Sequence, residues 1–163
     1  MELAIRPACP TDAEAIACIY NQGIEDRVAT LETELRSAAE RREWLVTRGP
    51  RYPVLVAEHA GDVVAWASLN RFNPRAAYDH VADLSIYVER GWRGRGVGRR
   101  LLQALVDLAP TLDYHKIVLA TFPFNPAGVA LYERVGFRSV GVYREQGRLD
   151  GAWVDILIME RLL

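Results

Sequence analysis

Asp83, Ser85 and Tyr87 in the segment ADLSIYV put a carboxylate, a hydroxyl and a phenol at alternate positions. Alternate residues of a strand share a face, so these three would stand together while Leu84, Ile86 and Val88 face the other way. A carboxylate placed there could take a proton from a reacting group, with its polar neighbours orienting the partner. Directly downstream, RGWRGRGVGRR (Arg90 to Arg100) carries five arginines and four glycines before the chain turns apolar. Strand, glycine-rich turn and helix together make a phosphate site, because the first helical turn leaves N–H donors unpaired and its dipole favours an anion. Gly94, Gly96 and Gly98 permit the backbone angles that bring those donors close to a ligand. Arginines in a first turn oppose the dipole, which suits phosphates sitting among them. The turn is not a P-loop, since no Gly-Lys-Ser/Thr follows, and it lacks the βαβ opening of a dinucleotide fingerprint. Taken alone, it also fits a solvated turn with surface arginines.

Composition narrows the ligand. The 163 residues suit one domain, residues 1–163, with a single core. Half are hydrophobic and a quarter charged, as in a folded soluble protein. Twenty basic residues against twenty-one acidic ones leave a net charge of -1, which argues against a nucleic-acid partner and makes the arginines a local feature. No apolar run approaches the ~18 residues of a membrane span, and the N-terminus lacks the pattern of a signal peptide. Cys9 and Cys18 have neither metal-type spacing nor a histidine in view, which fits a reducing cytoplasm. His59, His80 and His115 are scattered singly, so no metal site is expected.

The elements that must position these residues follow from periodicity. Leu3 to Pro7 reads as a strand. Thr11 with Glu14 and Ser37 with Glu40 have capping-box spacing before two helices, and Ile24 to Leu35 between them reads as a loop beside a site. VLVAEHAGDVVAWASL reads as two strands turning at Ala60-Gly61-Asp62, and ADLSIYV as a third. A helix then runs to Ala109, with Pro110 as its stop. Lys116 to Thr121 is the next strand, Ala127 to Val135 a helix closed by Gly136, and two strands finish the chain. Hairpins with interspersed helices predict a mixed α+β sheet.

Two motifs carry a family resemblance. Arg93 to Gly98, R-G-R-G-V-G, resembles the acetyl-CoA pyrophosphate loop of the GNAT N-acetyltransferases, Q/R-x-x-G-x-G/A. Asn125 to Phe137, NPAGVALYERVGF, resembles their second signature, an Asn followed by a helix ending in Y-E-x-x-G-F. Order and spacing match, and the resemblance runs over almost the whole chain. IYNQGIEDRVATLETE, NPRAAYDHVADLSIYV and GVYREQGRLDGAWVDILIMERLL are further similar to the branch containing phosphinothricin, arsinothricin and methionine sulfoximine acetyltransferases. The resemblance implies the GNAT fold, a mostly antiparallel sheet of six to seven strands flanked by about four helices. It implies direct acetyl transfer, in a ternary complex, from acetyl-CoA to the α-amino group of a small glutamate-like amino acid. Detoxification, a cytoplasmic location and a homodimer are implied with it. The rival readings are acetylation of another amine or of a protein N-terminus or lysine, and an acyl-CoA-binding regulatory module without turnover.

Carried over residue by residue, the resemblance places Ile86, Tyr87 and Val88 along the pantetheine arm, with Asn125 holding it. Arg93, Gly94, Arg95, Gly96, Val97, Gly98 and Arg99 surround the pyrophosphate, mainly through backbone N–H groups; Arg90 has no specific role. Asp83 aligns with the family's catalytic glutamate and is one methylene shorter. Tyr132 aligns with a tyrosine general acid, where the herbicide-resistance enzymes carry a histidine. Leu31, Arg75, Tyr78 and Ser85 fall on the amino-acid pocket, Leu31 in place of an aromatic ring. Each has a plainer alternative: an ion pair for Asp83, core packing for Tyr132, a turn Asn before Pro126, and an exposed loop arginine for Arg75.

Overall fold

A computed structural model describes residues 2–163. In chain order the elements are β1 (Ala4–Pro7), α1 (Ala13–Asp26), α2 (Ala38–Thr47), β2 (Val54–His59), β3 (Asp62–Arg71) and β4 (Val81–Val88). They continue with α3 (Val97–Leu108), β5 (Lys116–Thr121), α4 (Pro126–Arg134), β6 (Arg138–Leu149) and β7 (Ala152–Leu162). The seven strands form one sheet in the order β1-β2-β3-β4-β5-β7-β6. Every neighbouring pair is antiparallel except β4 and β5, which matches the α+β expectation.

The centre of the sheet is covered on both faces, which is why β2 and β3 carry continuous buried runs rather than alternation. On one face α3 presents Val97, Leu101, Leu102, Leu105 and Val106, all buried. They pack with Ala67, Leu69, Ile117, Leu119 and Met159 in the main core. On the other, Ile16 and Ile19 of α1 meet Val54, Val56 and Trp66. The β2–β3 turn closes with Ala60 at φ 50 and Gly61 at φ 89, the paired positive angles that suit the twist of a two-residue hairpin.

The predicted helix starts divide. At α2 the box forms: Glu40 N–H donates to Ser37 Oγ at 3.1 Å and Ser37 N–H to Glu40 at 3.4 Å. At α1 it does not. Asp12 precedes that helix, and its carboxylate accepts from Cys9 N–H at 2.7 Å and from Arg6 at 2.8 and 2.9 Å. An ion pair to β1 therefore takes the place given to Thr11. α1 also runs on to Asp26, past the expected loop start, and ends at the left-handed Arg27 (φ 55).

Two features of β4 set up a site. Its register with β3 puts Asp83 opposite Asn70, Ser85 opposite Ser68 and Tyr87 opposite Trp66, so six side chains share the face turned toward α1 and α2. Its parallel pairing with β5 covers Val81 to Asp83 alone. From Leu84 to Val88 the strand runs on with no β5 partner.

Candidate active site

Where β4 parts from β5 the sheet opens into a cavity of about 1020 Å³. β4 from Asp83 to Val88 lines it, facing residues of β5, β7 and α4, with loop residues Val28 to Leu31 also on the boundary.

The glycine turn lies at one end. Gly94 (φ 74) and Gly96 (φ 83) are left-handed, and a Cβ on either would meet no atom within 4 Å. The backbone there faces open space. Gly96 is the N-cap of α3 and supplies no side-chain cap, whereas Ser37 caps α2 and Asn125 caps α4. The first-turn N–H groups of α3 are thus left for a ligand, and the dipole favours an anion. Gly98 is the point of close approach, since a Cβ there would stand 3.2 Å from Leu131 Cδ2.

The arginines divide by partner. Arg93 donates to Asp26 at 2.7 Å, and Arg90 donates to the same carboxylate at 2.8 and 3.0 Å. Hydrogen bonding from Arg90, then Arg93, holds the Asp26 carboxyl below the usual range. Arg90, for which the sequence suggests no role, is therefore a structural ion-pair partner. Arg95 stacks over Trp92 at 4.2 Å, and Val97 is core at 1% exposure. Neither lines the cavity; Arg93 and Arg99 do. Asn125 lines it too, with its amide engaged at both ends: Oδ1 accepts from Gly128 N–H and Nδ2 donates to Val28 C=O, both at 3.2 Å.

Asp83, Tyr87 and Tyr132 all line the cavity. Burial pushes the Asp83 carboxyl up to about 6, against the opposing effect of the Asn70 amide across the strand pair. Among the described residues no ion pair involves Asp83, so the structural-bridge alternative is not what holds it. A carboxylate with its proton affinity near neutrality is a better base than an exposed aspartate. Burial pushes the Tyr132 phenol up to about 12, so it keeps its proton at neutral pH. The Tyr87 ring stacks on Trp66 at 4.9 Å, and burial drives its phenol well up against a hydrogen bond with Thr30.

At the other end, Leu31 and Ser85 line the cavity. The β6–β7 hairpin packs on the Leu31 loop so closely that a Cβ on Gly147 would fall 2.6 Å from both Leu31 methyls. Arg27 and Asp150, 3.0 Å apart, join the same two parts. Arg75 and Tyr78 lie outside the lining: both are exposed, and Tyr78 packs edge-on to Phe72 with ring centroids 5.6 Å apart. β3 and β4 stay paired out to Arg71 and Ala82, so their connecting loop begins beyond the end of that pairing.

Asn70, Asp26, Thr30 and Gln146 belong to the site or its supports without having been singled out in the sequence. Asn70 had a local signal, the Trp66-Ser68-Asn70 alternation that mirrors β4; the others come from a helix end, a loop and a hairpin, where none exists. No group of three or more potential metal ligands occurs among the described residues, and no described helix is long and apolar enough to cross a membrane.

The open sheet whose β4 parts from β5 beside an uncapped helix start is the fold of the GNAT acetyltransferases. Residues 18–137 match the acetyltransferase (GNAT) family, and the chain belongs to that family. It is 33% identical over 162 residues to the L-methionine sulfoximine/L-methionine sulfone acetyltransferase of Pseudomonas aeruginosa (98% of this chain, 94% of the relative). It is 31% identical over 166 residues to the phosphinothricin N-acetyltransferase of Streptomyces coelicolor (99% and 97%). Among solved structures, the phosphinothricin acetyltransferase of Sinorhizobium meliloti in complex with acetyl-CoA superposes with a TM-score of 0.93 at 31% identity, over 100% of this chain and 89% of that one. A ribosomal-protein-alanine N-acetyltransferase from Brucella melitensis gives 0.94 at 35% identity, over 98% and 99%. The chain is an acetyltransferase with acetyl-CoA as co-substrate.

Proposed function

We propose that residues 1–163 act as one catalytic domain that acetylates the α-amino group of a small glutamate-like amino acid of the phosphinothricin, arsinothricin or methionine sulfoximine type, and so detoxifies it. The observation that carries the chemistry is Asp83, half-buried with no cationic partner among the described residues, on the cavity wall where β4 leaves β5. Acetyl-CoA supplies an activated thioester. The backbone of Gly94, Gly96 and Gly98 takes its phosphates with Arg93 and Arg99 beside them, while Arg95 and Val97 shape the turn from outside. The unpaired edge of β4 at Ile86, Tyr87 and Val88 serves the pantetheine arm, and Asn125 closes its other side.

Asp83 takes a proton from the acceptor ammonium, so that a nitrogen lone pair is free to attack the thioester carbonyl. Tyr132 gives a proton to the departing thiolate. Cys9 and Cys18 are exposed and neither lines the cavity, which supports direct transfer without an acyl-enzyme. Leu31 and Ser85 face the acceptor; Arg75 and Tyr78 have no place in this reading of one chain's cavity. Exposed Val140, Val142, Tyr143 and Trp153 on the terminal β6–β7 pair support a homodimer through that end of the sheet, and a neutral, metal-free, cytoplasmic enzyme is consistent with the composition.

The second reading, acetylation of a protein N-terminus, is favoured by the similarity to the Brucella melitensis enzyme. Turnover assays with phosphinothricin, arsinothricin, methionine sulfoximine and an alanine-terminated peptide decide between them. Acetylation of at least one amino acid is expected; turnover of the peptide alone would overturn the substrate assignment.

A further inference from the structure

Asn70 stands on β3 in register with Asp83. Its side-chain oxygen has two lone pairs, and both are taken: Ser68 Oγ donates at 3.1 Å and Arg48 at 2.9 Å. The amide cannot flip without turning its NH₂ against a guanidinium. Its nitrogen is therefore committed to β4, where it donates to Ser85 Oγ at 3.1 Å, beside its cross-strand partner Asp83.

Arg48 is fixed in turn. It donates to the carbonyls of Tyr52 at 2.9 Å and Leu69 at 2.6 Å, and its guanidinium lies 4.1 Å over Trp44. Among the described residues no carboxylate pairs with it. A half-buried guanidinium without a carboxylate is unfavourable unless its donors are satisfied; here carbonyls and the Asn70 amide satisfy them.

We propose that Asn70, locked by Arg48 and Ser68 with its amide nitrogen turned toward β4, is a positioning residue that holds the Asp83 carboxylate in place. Its part in catalysis rests on reading Asp83 as the base. The groups facing this side of the sheet are Tyr87 on β4, Tyr20 from α1, Arg41 and Arg48 from α2, Tyr132 from α4 and Tyr143 from β6. His80 and His115 stand just before β4 and β5 with rings 6.0 Å apart, so the test observes Asp83 itself.

The experiment is an NMR titration of the ¹³C-labelled Asp83 carboxyl, assigned with Asp83→Asn, in the parent and in Asn70→Ala and Asn70→Ser. Amide spectra check that each variant is folded. Losing a donor to the charged form should raise the Asp83 midpoint by roughly one pH unit in Asn70→Ala. Asn70→Ser, which keeps a hydroxyl donor, should recover part of the shift. An unmoved midpoint in folded Asn70→Ala overturns the inference. The pH profile of kcat/KM tests the other half. Its acidic limb should follow the carboxyl; if the carboxyl moves and the limb does not, the hold of Asn70 on Asp83 stands and the assignment of Asp83 as base fails.

Discussion

Asp26, the last residue of α1, accepts a 2.7 Å hydrogen bond from Arg93 on the glycine turn, and Arg90 shares the same carboxylate. The end of α1, before the loop that carries Leu31, is thereby joined to the turn proposed to hold the phosphates. Exposed ion pairs contribute modestly, so Asp26→Ala should raise the KM for acetyl-CoA by about two- to fivefold with kcat little changed. Steady-state kinetics at varied acetyl-CoA check this. A fall in KM would mean that the freed Arg93 guanidinium serves the phosphates better than the anchored one.

Gly96 tests the turn from its backbone. At φ 83 it is the N-cap of α3, and any side chain there meets a left-handed penalty of roughly 1–2 kcal/mol. No neighbouring atom crowds the position, so the effect of Gly96→Ala should come from backbone strain rather than a clash. The expected result is about tenfold weaker acetyl-CoA binding by calorimetry, with a smaller loss of thermal stability. Unchanged affinity in the folded variant would remove the turn from phosphate binding.

Asp83 couples activity to stability with opposite signs. Asp83→Asn should lower kcat by about 10²–10⁴-fold, the usual worth of a general base, and the parent's kcat/KM should fall on the acid side of a midpoint near the value of about 6 that burial sets. Folding raises this carboxyl above its unfolded value of 3.8, so the folded chain binds the proton more tightly. The contribution of Asp83 to stability is therefore fully present below about pH 4 and lost as pH rises through about 6. Asp83→Asn should then be more stable than the parent at pH 7.5, by on the order of 1–3 kcal/mol, with the gain vanishing near pH 4. Thermal melts at the two pH values check it.

Tyr132 has a narrower test. Its phenol keeps its proton through neutral pH because burial pushes it up to about 12. Tyr132→Phe keeps the packing against Phe137 and removes only the acid. A drop in kcat of about tenfold or more, with melting temperature within a few degrees of the parent, is expected of a general acid. Unchanged kcat would leave Tyr132 as a packing residue.

How much of this was legible in the sequence depends on how local each signal is. β4's alternation put Asp83, Ser85 and Tyr87 on one face, and the structure keeps them there because register with β3 admits no other arrangement. The glycines of the turn announce their positive angles by residue type. Most of the arginine side chains announce nothing, since their partners lie far away in sequence: Asp26 for Arg90 and Arg93, Leu3 for Arg100. A nearer competitor displaced Thr11 as a helix cap, because Arg6 draws Asp12. The parting of β4 from β5 is a tertiary fact with no residue-level mark, so the cavity itself could enter only through family resemblance.

Gly147 and Leu31 give the test of the acceptor end. A Cβ at Gly147 would lie 2.6 Å from the Leu31 methyls, closer than carbon atoms approach, while Leu31 itself lines the cavity. Leu31 ends a flexible side chain on a loop, so the clash is relieved by moving it rather than by breaking the sheet. The direction of that movement, off the β6–β7 hairpin, disturbs the wall beside Ser85 and leaves the glycine turn at the far end untouched. Gly147→Ala should therefore raise the KM for the amine acceptor severalfold while the KM for acetyl-CoA and the melting temperature stay near the parent values. Initial rates with each substrate varied in turn separate the two. Equal changes in both KM values would show that the hairpin supports the whole cavity, and would take Leu31 out of acceptor selection.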